Sequence, residues 1–296
     1  MREKKVLVYG SLNLDHVYQV DHIVVPGETI SSKGMQTFCG GKGMNQAIAF
    51  AKAGAMVYMA GKIGEDGMLL KQSCEYYGVR TEFLTECKEP SGSTAIQVDA
   101  KGENCIVLFG GTNQMQTKKE VDAVLSHFEE GDYIVLQNEI NEVNYIISQA
   151  KKKGMEIVLN PSPYDEKMKT YDIRGLSWII LNEIEAFQMT GEKDPHQAIE
   201  EIHKLCPMAG IVLTLGKEGS ICMKDGNTVT QKCYLADAVD TTAAGDTFTG
   251  YFFSWVIKGR QIQEALDVAS RASAIAVSRK GAVESIPFSK ELENSL

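Results

Sequence analysis

The segment DTTAAGDTFTG, residues 240–250, places four small residues directly before an acid, Asp246, and an apolar run. The apolar run predicts a helix over 245–258, and the first peptide N–H groups of a helix have no partners inside it. The helix dipole adds partial positive charge there, and small side chains let a phosphate approach the backbone. An ionised carboxylate in the same turn can accept a proton from a substrate hydroxyl. The segment therefore predicts phosphoryl transfer, with Asp246 as the base and an anion hole made by the N–H groups of Ala243, Ala244, Gly245 and Asp246.

A second candidate for ligand binding is the glycine-rich segment GGKGMNQA at 40–47. Its three glycines allow a close approach of backbone to a ligand, and Asn45 is a typical helix cap. Upstream, Asn13 and Asp15 alternate just past the first predicted strand, at the edge where open sheets bind ligands, and such a pair can hydrogen-bond adjacent hydroxyls. Each motif alone also fits a simpler explanation, namely an acid at an ordinary helix start, a glycine-rich turn with its cap, or a turn-stabilising Asx pair.

The bulk properties argue against several classes of protein. The chain has 296 residues, 44% hydrophobic and 23% charged, with a net charge of −9, and its longest basic run is KKKG at 151–154. Nucleic acid and anionic membranes are therefore not expected as partners. No segment approaches the roughly 18 apolar residues of a transmembrane helix, and the N-terminus reads as a strand rather than a signal peptide. Seven cysteines without a CxxC pair predict reduced thiols in a cytoplasmic protein, and the five histidines show no zinc-binding spacing.

Short apolar runs alternate with helical patterns along most of the chain. Such alternation predicts an α/β fold with a central, mostly parallel sheet that is covered by helices on both faces. Two regions, about 12–38 and 91–113, contain alternating runs without helices, and we expect them to form a small, mostly antiparallel sheet that lies over the main domain as a lid. No linker indicates a boundary, so we expect one domain over 1–296. The predicted strands are 5–10, 56–61, 132–137, 156–160, 177–182 and 210–216, the predicted helices are 45–54, 142–154, 194–206, 245–258 and 261–278, and a hairpin is predicted over 219–232.

Several common nucleotide-binding signatures are absent from the sequence. The P-loop pattern GxxxxGKS or GxxxxGKT occurs nowhere, and GSLNLD follows the first strand where a dinucleotide fold would have GxGxxG. The protein-kinase triplets HRD and DFG are also missing. The segment at 240–250 is therefore the phosphate-binding element that remains.

Taken together, the motifs resemble those of the ribokinase-like, or phosphofructokinase-B type, carbohydrate kinases. The segments at 40–47 and 240–250 are similar to the two signatures of that family, and ordered matches extend over nearly the whole chain. So many matches in order are far more specific than either glycine motif alone. The further segments are GSLNLDHV (10–17), PGET (26–29), GEN (102–104), LNPSP (159–163), NEIE (182–185), TLGKEG (214–219) and AVSRKGA (276–282).

The resemblance implies a ribokinase-like αβα sandwich and an ATP-dependent sugar kinase, with D-ribose as the favoured acceptor. A kinase for another pentose, for deoxyribose or for a nucleoside is the alternative within the class. A non-catalytic sugar sensor is a remote alternative, because a sensor has no need of an intact base. The resemblance makes Asp246 the catalytic base and assigns the anion hole to Ala243, Ala244 and Gly245. The residues that it assigns to the sugar are Asn13, Asp15, Gly41, Lys42, Gly43, Asn45, Glu139 and Asp246.

The same resemblance implies Mg²⁺, ATP as co-substrate, K⁺ as an activating cation, and a homodimer formed through the lid. Asn182 and Glu185 would organise Mg²⁺ and the phosphates through water. The residues that would line the nucleotide are Thr214, Leu215, Gly216, Lys217, Glu218, Gly219, Gly245 and Ser270. The groups that would hold the monovalent cation are Asp240, the backbone oxygens of Thr242, Ala276, Arg279 and Gly281, and the region of Ser285.

Three residues depart from the pattern of the family. Met44 is bulkier than the usual alanine, so it would narrow or reshape the sugar pocket, which weakens the case for ribose as the acceptor. Tyr251 stands where a small residue is usual, so it would alter the packing behind the loop that precedes the helix. Ser270 replaces a larger polar side chain that often lies beside the adenine, so we expect different nucleotide contacts there.

Overall fold

The structure is a computed structural model, and it describes residues 2–293. A large sheet of nine strands, a small sheet of four strands and nine α-helices organise these residues. In chain order the strands are β1 (Val6–Tyr9), β2 (Asn13–Gln19), β3 (Gly34–Gly40), β4 (Val57–Gly64), β5 (Arg80–Cys87), β6 (Gly92–Val98), β7 (Asn104–Phe109), β8 (Tyr133–Gln137), β9 (Glu156–Asn160), β10 (Trp178–Asn182), β11 (Gly210–Thr214), β12 (Ser220–Lys224) and β13 (Asn227–Gln231). The helices are α1 (Lys42–Lys52), α2 (Met68–Tyr76), α3 (Lys118–Leu125), α4 (Val143–Lys152), α5 (Glu183–Thr190), α6 (Pro195–Leu205), α7 (Ala244–Ile257), α8 (Ile262–Val277) and α9 (Ser289–Glu293).

The large sheet is mostly parallel, as the sequence predicts. Its spatial order is β13-β12-β11-β10-β9-β8-β1-β4-β5, and only the pairs that involve β12 and β13 are antiparallel. The chain builds outwards from β1 through β4 to β5, and then starts again at β8 on the other side of β1. The direction of strand order therefore reverses between β1 and β8, and open α/β sheets bind their ligands at such a point.

Helices cover both faces of the large sheet because its strands are apolar on both sides. Val6 and Val8 belong to one buried hydrophobic cluster, whereas Leu7 and Tyr9, which alternate with them, belong to a second cluster on the opposite face. Side chains from α1, α2, α7 and α8 complete the first cluster, and side chains from α3, α4, α5 and α6 complete the second. Within residues 2–293, no helix has both the length and the apolar character that crossing a bilayer requires.

The small sheet lies where the sequence predicts one, and its strand order is β3-β2-β6-β7. The two outer pairs are antiparallel, and the central pair of β2 and β6 is parallel. Strand β2 follows β1 after a short connection, so the first strand of the small sheet begins at the carboxyl edge of the large one. Strand β7 forms an outer edge, and all six of its residues are exposed.

The structure also contains elements that the sequence analysis did not identify, namely β5, α2, α3, α5 and α9. Strand β5, with the sequence RTEFLTEC, lies at the edge of the sheet and is mostly polar, with only Phe83 and Leu84 as adjacent large apolar residues, so it has no continuous apolar run. Helices α3 and α5 have only eight residues each, which is too short for a clear helical period. The predicted hairpin is confirmed, and it turns at Asp225 and Gly226 with positive φ angles of 51° and 76°.

Helices α1 and α7 approach each other closely through small residues. A β-carbon placed on Gly250 of α7 would lie 2.4 Å from the β-carbon of Ala49 and 2.8 Å from the backbone nitrogen of Phe50, both in α1. Atoms cannot pack at such distances, so the contact depends on glycine at this position.

We predict that Gly250→Ala lowers the free energy of unfolding by about 1–3 kcal/mol, because the added methyl group overpacks the contact between α1 and α7. Urea denaturation measures the change. The matched control is Gly245→Ala in the same helix, where an added β-carbon meets no atom within 4 Å. Equal stability of the two variants would contradict the prediction.

Candidate active site

The residues that the sequence analysis identified converge at the carboxyl edge of the large sheet. Ser11 follows β1 and Glu139 follows β8, and these two strands flank the point where strand order reverses. The next three strands end in polar residues, which are Asn160 in β9, Asn182 in β10 and Thr214 in β11. Five adjacent parallel strands thus direct hydrogen-bonding groups to one edge, beside the start of α7.

Asp246 lies in the first turn of α7 and is buried, with 7% of its surface exposed. Helix α1 holds both carboxylate oxygens, because Asn45 Nδ2 donates to Oδ2 over 3.0 Å and Gln46 Nε2 donates to Oδ1 over 2.9 Å. Hydrogen bonds to a charged acceptor are stronger than those to a neutral one. The orientation of the carboxylate is therefore set by the protein itself.

Behind Gln46 lies a group of buried amides that the sequence analysis did not identify. Gln137, the last residue of β8, donates to Gln46 Oε1 over 2.6 Å, and Asn160 Oδ1 accepts from Gln46 Nε2 over 3.2 Å. Asn160 in turn donates to the backbone oxygen of Ile180 over 2.9 Å. The signal that could have found these residues is an amide at the last position of a predicted buried strand, together with the glutamine inside GGKGMNQA.

Backbone N–H groups at the start of α7 are available for an anion. Ala243 adopts a left-handed conformation, with φ 59°, and caps the helix. Among the described residues, the N–H groups of Ala243, Gly245 and Asp246 have no hydrogen-bond partner. Ala244 differs from the sequence prediction, because its N–H closes a turn onto Thr241 O over 3.3 Å.

Gly245 has space beside it that the protein does not fill. The residue is exposed, its backbone is helical, and a β-carbon placed on it would meet no atom within 4 Å. Neither packing nor backbone conformation therefore requires glycine here. A ligand that approaches the free N–H groups would explain its presence.

The glycines of the segment 40–47 serve a different purpose, since they pack α1 against the end of β1. Gly41 has φ 94°, and a β-carbon on it would lie 2.9 Å from Ser11 O. A β-carbon on Gly43 would lie 2.5 Å from the backbone nitrogen of Ser11. The start of α1 is also joined to β8, because Glu139 Oε2 accepts hydrogen bonds from the N–H of Lys42 over 3.1 Å and from Ser11 Oγ.

Lys42 and Glu139 supply opposite charges beside Asp246. Burial raises the pKa of Glu139, and the charge of Lys42 and the hydrogen bonds that Glu139 accepts offset this only in part. Burial tends to lower the pKa of Lys42, but neighbouring carboxylates outweigh it and leave the pKa raised. Lys42 therefore carries its charge at neutral pH. The carboxylates that act on it are those of Asp246, Glu139 and Glu185.

Asn13 and Asp15 lie on β2, two residues apart, so they point to the same side of the small sheet. Asn13 Oδ1 accepts from Asn113 Nδ2 over 2.8 Å, and Asp15 Oδ1 accepts from Thr94 Oγ1 over 2.5 Å. Burial raises the pKa of Asp15, although the bond from Thr94 opposes the shift. The supporting residues Thr94 and Asn113 were not identified from the sequence, because nothing in their local pattern connects them to β2.

Asn182 and Glu185 cap helix α5 by bonding to each other's backbone. Asn182 Oδ1 accepts from the N–H of Glu185 over 2.8 Å, and Glu185 Oε2 accepts from the N–H of Asn182 over 3.0 Å. Glu185 is buried, and its Oε1 has no hydrogen-bond partner within residues 2–293. One oxygen of this carboxylate is therefore available to water or to a cation.

The segment 214–219 follows β11 at the same edge of the sheet. It forms a tight loop in which the N–H of Leu215 donates to Gly219 O over 2.8 Å, and both Gly216 and Gly219 have positive φ angles, of 52° and 104°. The tip of the loop, Gly216 to Glu218, is exposed. The loop thus presents backbone to solvent beside Asn182, which pairs with Thr214 across the sheet.

Asp240 joins the loop before α7 to the loop after α8. Its Oδ1 accepts from the N–H of Thr242 over 2.9 Å, and its Oδ2 accepts from the N–H of Gly281 over 3.1 Å. Partial burial tends to raise the pKa of Asp240, but these bonds outweigh it and leave the pKa lowered. No group of three or more His, Cys, Asp or Glu side chains suited to a metal occurs in the described part of the chain, so a cation here would depend on backbone oxygens. The two joined loops and the end of α8 contain the residues that the resemblance assigns to the cation, Thr242, Ala276, Arg279, Gly281 and Ser285.

The three departures from the family pattern are all buried. Met44 has no exposed surface and packs in the first hydrophobic cluster, so the expectation that it narrows the sugar pocket is wrong, because α1 turns this side chain towards the core. Tyr251 is fully buried, and its hydroxyl donates to Pro287 O over 2.6 Å. Ser270 donates to Lys232 O over 3.3 Å.

An α/β fold that directs a buried carboxylate, a charged lysine and free helix N–H groups to the switch point of its sheet has the parts of a phosphotransferase. The model of the pfkB family carbohydrate kinases matches residues 3–289. The chain therefore belongs to the pfkB family of carbohydrate kinases.

Similar proteins of established identity cover the chain almost completely. The ribokinase of Haemophilus influenzae is 35% identical over an alignment of 302 positions, gaps included, that covers 97% of each chain. The crystal structure of the ribokinase of Cryptococcus neoformans var. grubii in complex with ADP has a TM-score of 0.87 and 32% identity, with full coverage of both chains. The structure of the Arabidopsis thaliana ribokinase complexed with ribose and ATP has a TM-score of 0.87 and 29% identity, and covers 99% of this chain and 98% of that one.

We predict that Gly245→Ala lowers the rate of phosphoryl transfer about 10²–10³-fold, because a methyl group would keep the transferring group away from the N–H groups of the first turn. Its free energy of unfolding should not fall, since the site has open space and alanine is favoured over glycine in a helix. ADP release and urea denaturation on the same preparation measure the two quantities. A turnover equal to that of the parent would show that no transferring group occupies this space.

Proposed function

We propose that this protein is an ATP-dependent ribokinase, which converts D-ribose and ATP into D-ribose 5-phosphate and ADP. The primary hydroxyl oxygen of ribose forms a bond to the γ-phosphorus while the bond from that phosphorus to ADP breaks, and the hydroxyl proton passes to Asp246. The observation that carries the proposal is the position of the Asp246 carboxylate in the same helical turn as the free N–H groups of Gly245 and Asp246. These N–H groups stabilise the charge on the transferring group. The ribokinases to which the chain is similar support ribose as the acceptor.

Ribose binds between the small sheet and the start of α1. Asp15 and Asn13 lie on β2, and hydrogen bonds from Thr94 and Asn113 orient them. Their remaining polar atoms can therefore form hydrogen bonds with the ring hydroxyls. The other members of the sugar site are Gly41, Lys42, Gly43, Asn45, Glu139 and Asp246. Among them Gly43 acts through packing, because it is buried against Ser11.

ATP lies along the carboxyl ends of β10 and β11 towards α7. The residues that line it are Asn182, Glu185, the loop Thr214, Leu215, Gly216, Lys217, Glu218 and Gly219, then Gly245 and Ser270. The partner-free Oε1 of Glu185 would accept a hydrogen bond from a water of Mg²⁺, and this cation would neutralise charge on the phosphates. Lys42 keeps its charge because of the surrounding carboxylates, among them Asp246 and Glu185.

The small sheet acts as the lid of the sugar site and as the interface of a homodimer. The support for the dimer is the outer strand β7, where Ile106, Val107, Leu108 and Phe109 are 55%, 65%, 51% and 55% exposed. An exposed apolar edge strand readily pairs with a second copy. We further propose a cytoplasmic location, which the seven unpaired cysteines support.

We predict that Asp246→Asn lowers turnover by roughly 10²–10⁴-fold, because the amide is nearly isosteric but cannot take up the hydroxyl proton. Coupled ADP release measures turnover, and calorimetric titration with ribose should show a much smaller change in affinity. The parent is assayed with pentoses, hexoses, deoxyribose and nucleosides in parallel, and ribose should give the highest kcat/KM. Near-normal turnover of the variant would contradict the role of Asp246 as the base. A higher kcat/KM for another acceptor would contradict ribose as the substrate.

We also propose that a monovalent cation, K⁺, is held by Asp240 together with backbone oxygens of Thr242, Ala276, Arg279 and Gly281 in the region of Ser285. Asp240 already draws the two loops together through Thr242 and Gly281, and its lowered pKa keeps it charged. A cation in this position fixes the loop 241–245, whose N–H groups must be aimed before phosphate arrives. The alternative is that Asp240 only caps the turn at Thr242.

We predict that K⁺ raises turnover with little effect on ribose affinity, because it organises the anion hole without contacting the sugar. The assay uses Tris-buffered Mg-ATP without alkali metal and then adds K⁺, Na⁺ or choline at equal ionic strength. Asp240→Ala should abolish the response to K⁺. Equal rates in the three salts, or a variant that responds like the parent, would refute the cation site.

A further inference from the structure

The buried amides behind Asp246 form a chain in which each group has a single possible orientation. The backbone oxygen of Ile180 can only accept, so Asn160 must turn Nδ2 towards it and Oδ1 towards Gln46. Gln46 must then turn Nε2 towards Asn160 and towards Asp246 Oδ1, over 2.9 Å. Its Oε1 is left for Gln137, which donates to it over 2.6 Å. The direction of the whole chain thus follows from one main-chain carbonyl in the central sheet.

Reversal of this chain would be costly because its side chains are buried. Gln46 and Gln137 have no exposed surface, and Asn160 is 9% exposed. A flipped Gln46 would place Oε1 against the carboxylate of Asp246, and a flipped Asn160 would place Oδ1 against Ile180 O. Each such pair leaves two buried acceptors without a proton. Gln46 can therefore only donate to Asp246.

We infer that Gln46 is a positioning residue for the general base. Gln46 acts through Asp246, because its Nε2 donates to Oδ1 and thereby fixes the plane of the carboxylate. The remaining lone pairs of the carboxylate then face the sugar hydroxyl. This inference rests on the proposed role of Asp246. A base that is displaced or rotated loses much of its effect, since proton transfer requires hydrogen-bond geometry.

Other groups act on the same carboxylate and stay constant in the test. Asn45 of α1 donates to Oδ2. Lys42, at the start of α1, and Glu139, after β8, interact with Asp246 through their charges. Comparing variants at position 46 alone keeps these contributions equal, so a change in the pH profile reports the group at position 46.

The test compares Gln46→Met, which has a similar shape and no donor, with Gln46→Glu. For Gln46→Met we expect kcat to fall about 10- to 100-fold, because the lost hydrogen bond is to a charged group. The KM for ribose should stay within about twofold, because Gln46 itself is not among the residues of the sugar site.

Gln46→Glu should give a pH profile of a different shape. The introduced carboxyl group donates to Asp246 only while protonated, and two adjacent carboxylates disfavour the doubly charged state. The kcat of this variant should therefore fall as pH rises. The pH profile of the parent should show no such falling limb over the same pH range. A purely structural role of Gln46 predicts no such limb. Ribose binding by calorimetry verifies that each variant is folded, and if Gln46→Met does not fold, the profile of Gln46→Glu decides.

A matched control and a double variant complete the test. Gln116 is also a buried glutamine, with 4% exposure, but it bonds to Tyr9 and Thr112 instead, so Gln116→Met should keep the kcat and the pH profile of the parent.

Gln46→Met added to Asp246→Asn should cause no further loss of kcat, because the residue acts through the base. A kcat of Gln46→Met within twofold of the parent, or an additive double variant, would overturn the inference. Normal turnover of Asp246→Asn alone would instead overturn the proposed base.

Discussion

The two hydrogen bonds from Asn45 and Gln46 to the carboxylate of Asp246 impose a condition that much of the fold satisfies. They require the first turns of α1 and α7 to lie within hydrogen-bond distance of each other. At one end, Gly41 and Gly43 let α1 begin directly against the end of β1. Further along, Gly250 lets α7 run against Ala49. The aromatic cluster of Trp178, Phe252 and Phe253 then fixes α7 against the sheet. The geometry of the base is thus a property of the packing of two helices.

The groups of the site that would bind phosphate are positive, whereas the net charge of the whole chain is negative. The protein has a net charge of −9, which does not favour a polyanionic substrate. Within the site, positive charge comes from the Lys42 ammonium and from the N–H groups of α7. The acids around Lys42 keep it charged despite its burial. A site of this kind favours phosphate locally in a chain whose net charge is negative.

The parts of the site that could be predicted from the sequence are those in which one local pattern carries the chemistry. Asp246 and Gly245 were identified because small residues, an acid and an apolar helix follow one another, and the parallel sheet was identified because its buried strands are continuous apolar runs. Gln137 and Asn160 were not identified, because an amide at the end of a strand has no distinctive neighbours in the sequence. Their roles depend on Gln46, which precedes them by 91 and 114 residues. Met44 was misplaced for the same reason, since the direction of its side chain is decided by how α1 packs.

The distance along the chain between Asp246 and the two residues that orient it, Asn45 and Gln46, has a consequence for protein synthesis. Asn45 and Gln46 precede the carboxylate that they hold by 201 and 200 residues. At translation rates of about 5–20 residues per second, the ribosome needs about 10–40 seconds to proceed from one half to the other. During that time the emerging chain carries the loop at 40–47 without its base, so it has no means of catalysing phosphoryl transfer. The chain therefore becomes competent only after Asp246 has left the ribosome, and a translation product interrupted before this residue lacks the base that phosphoryl transfer requires.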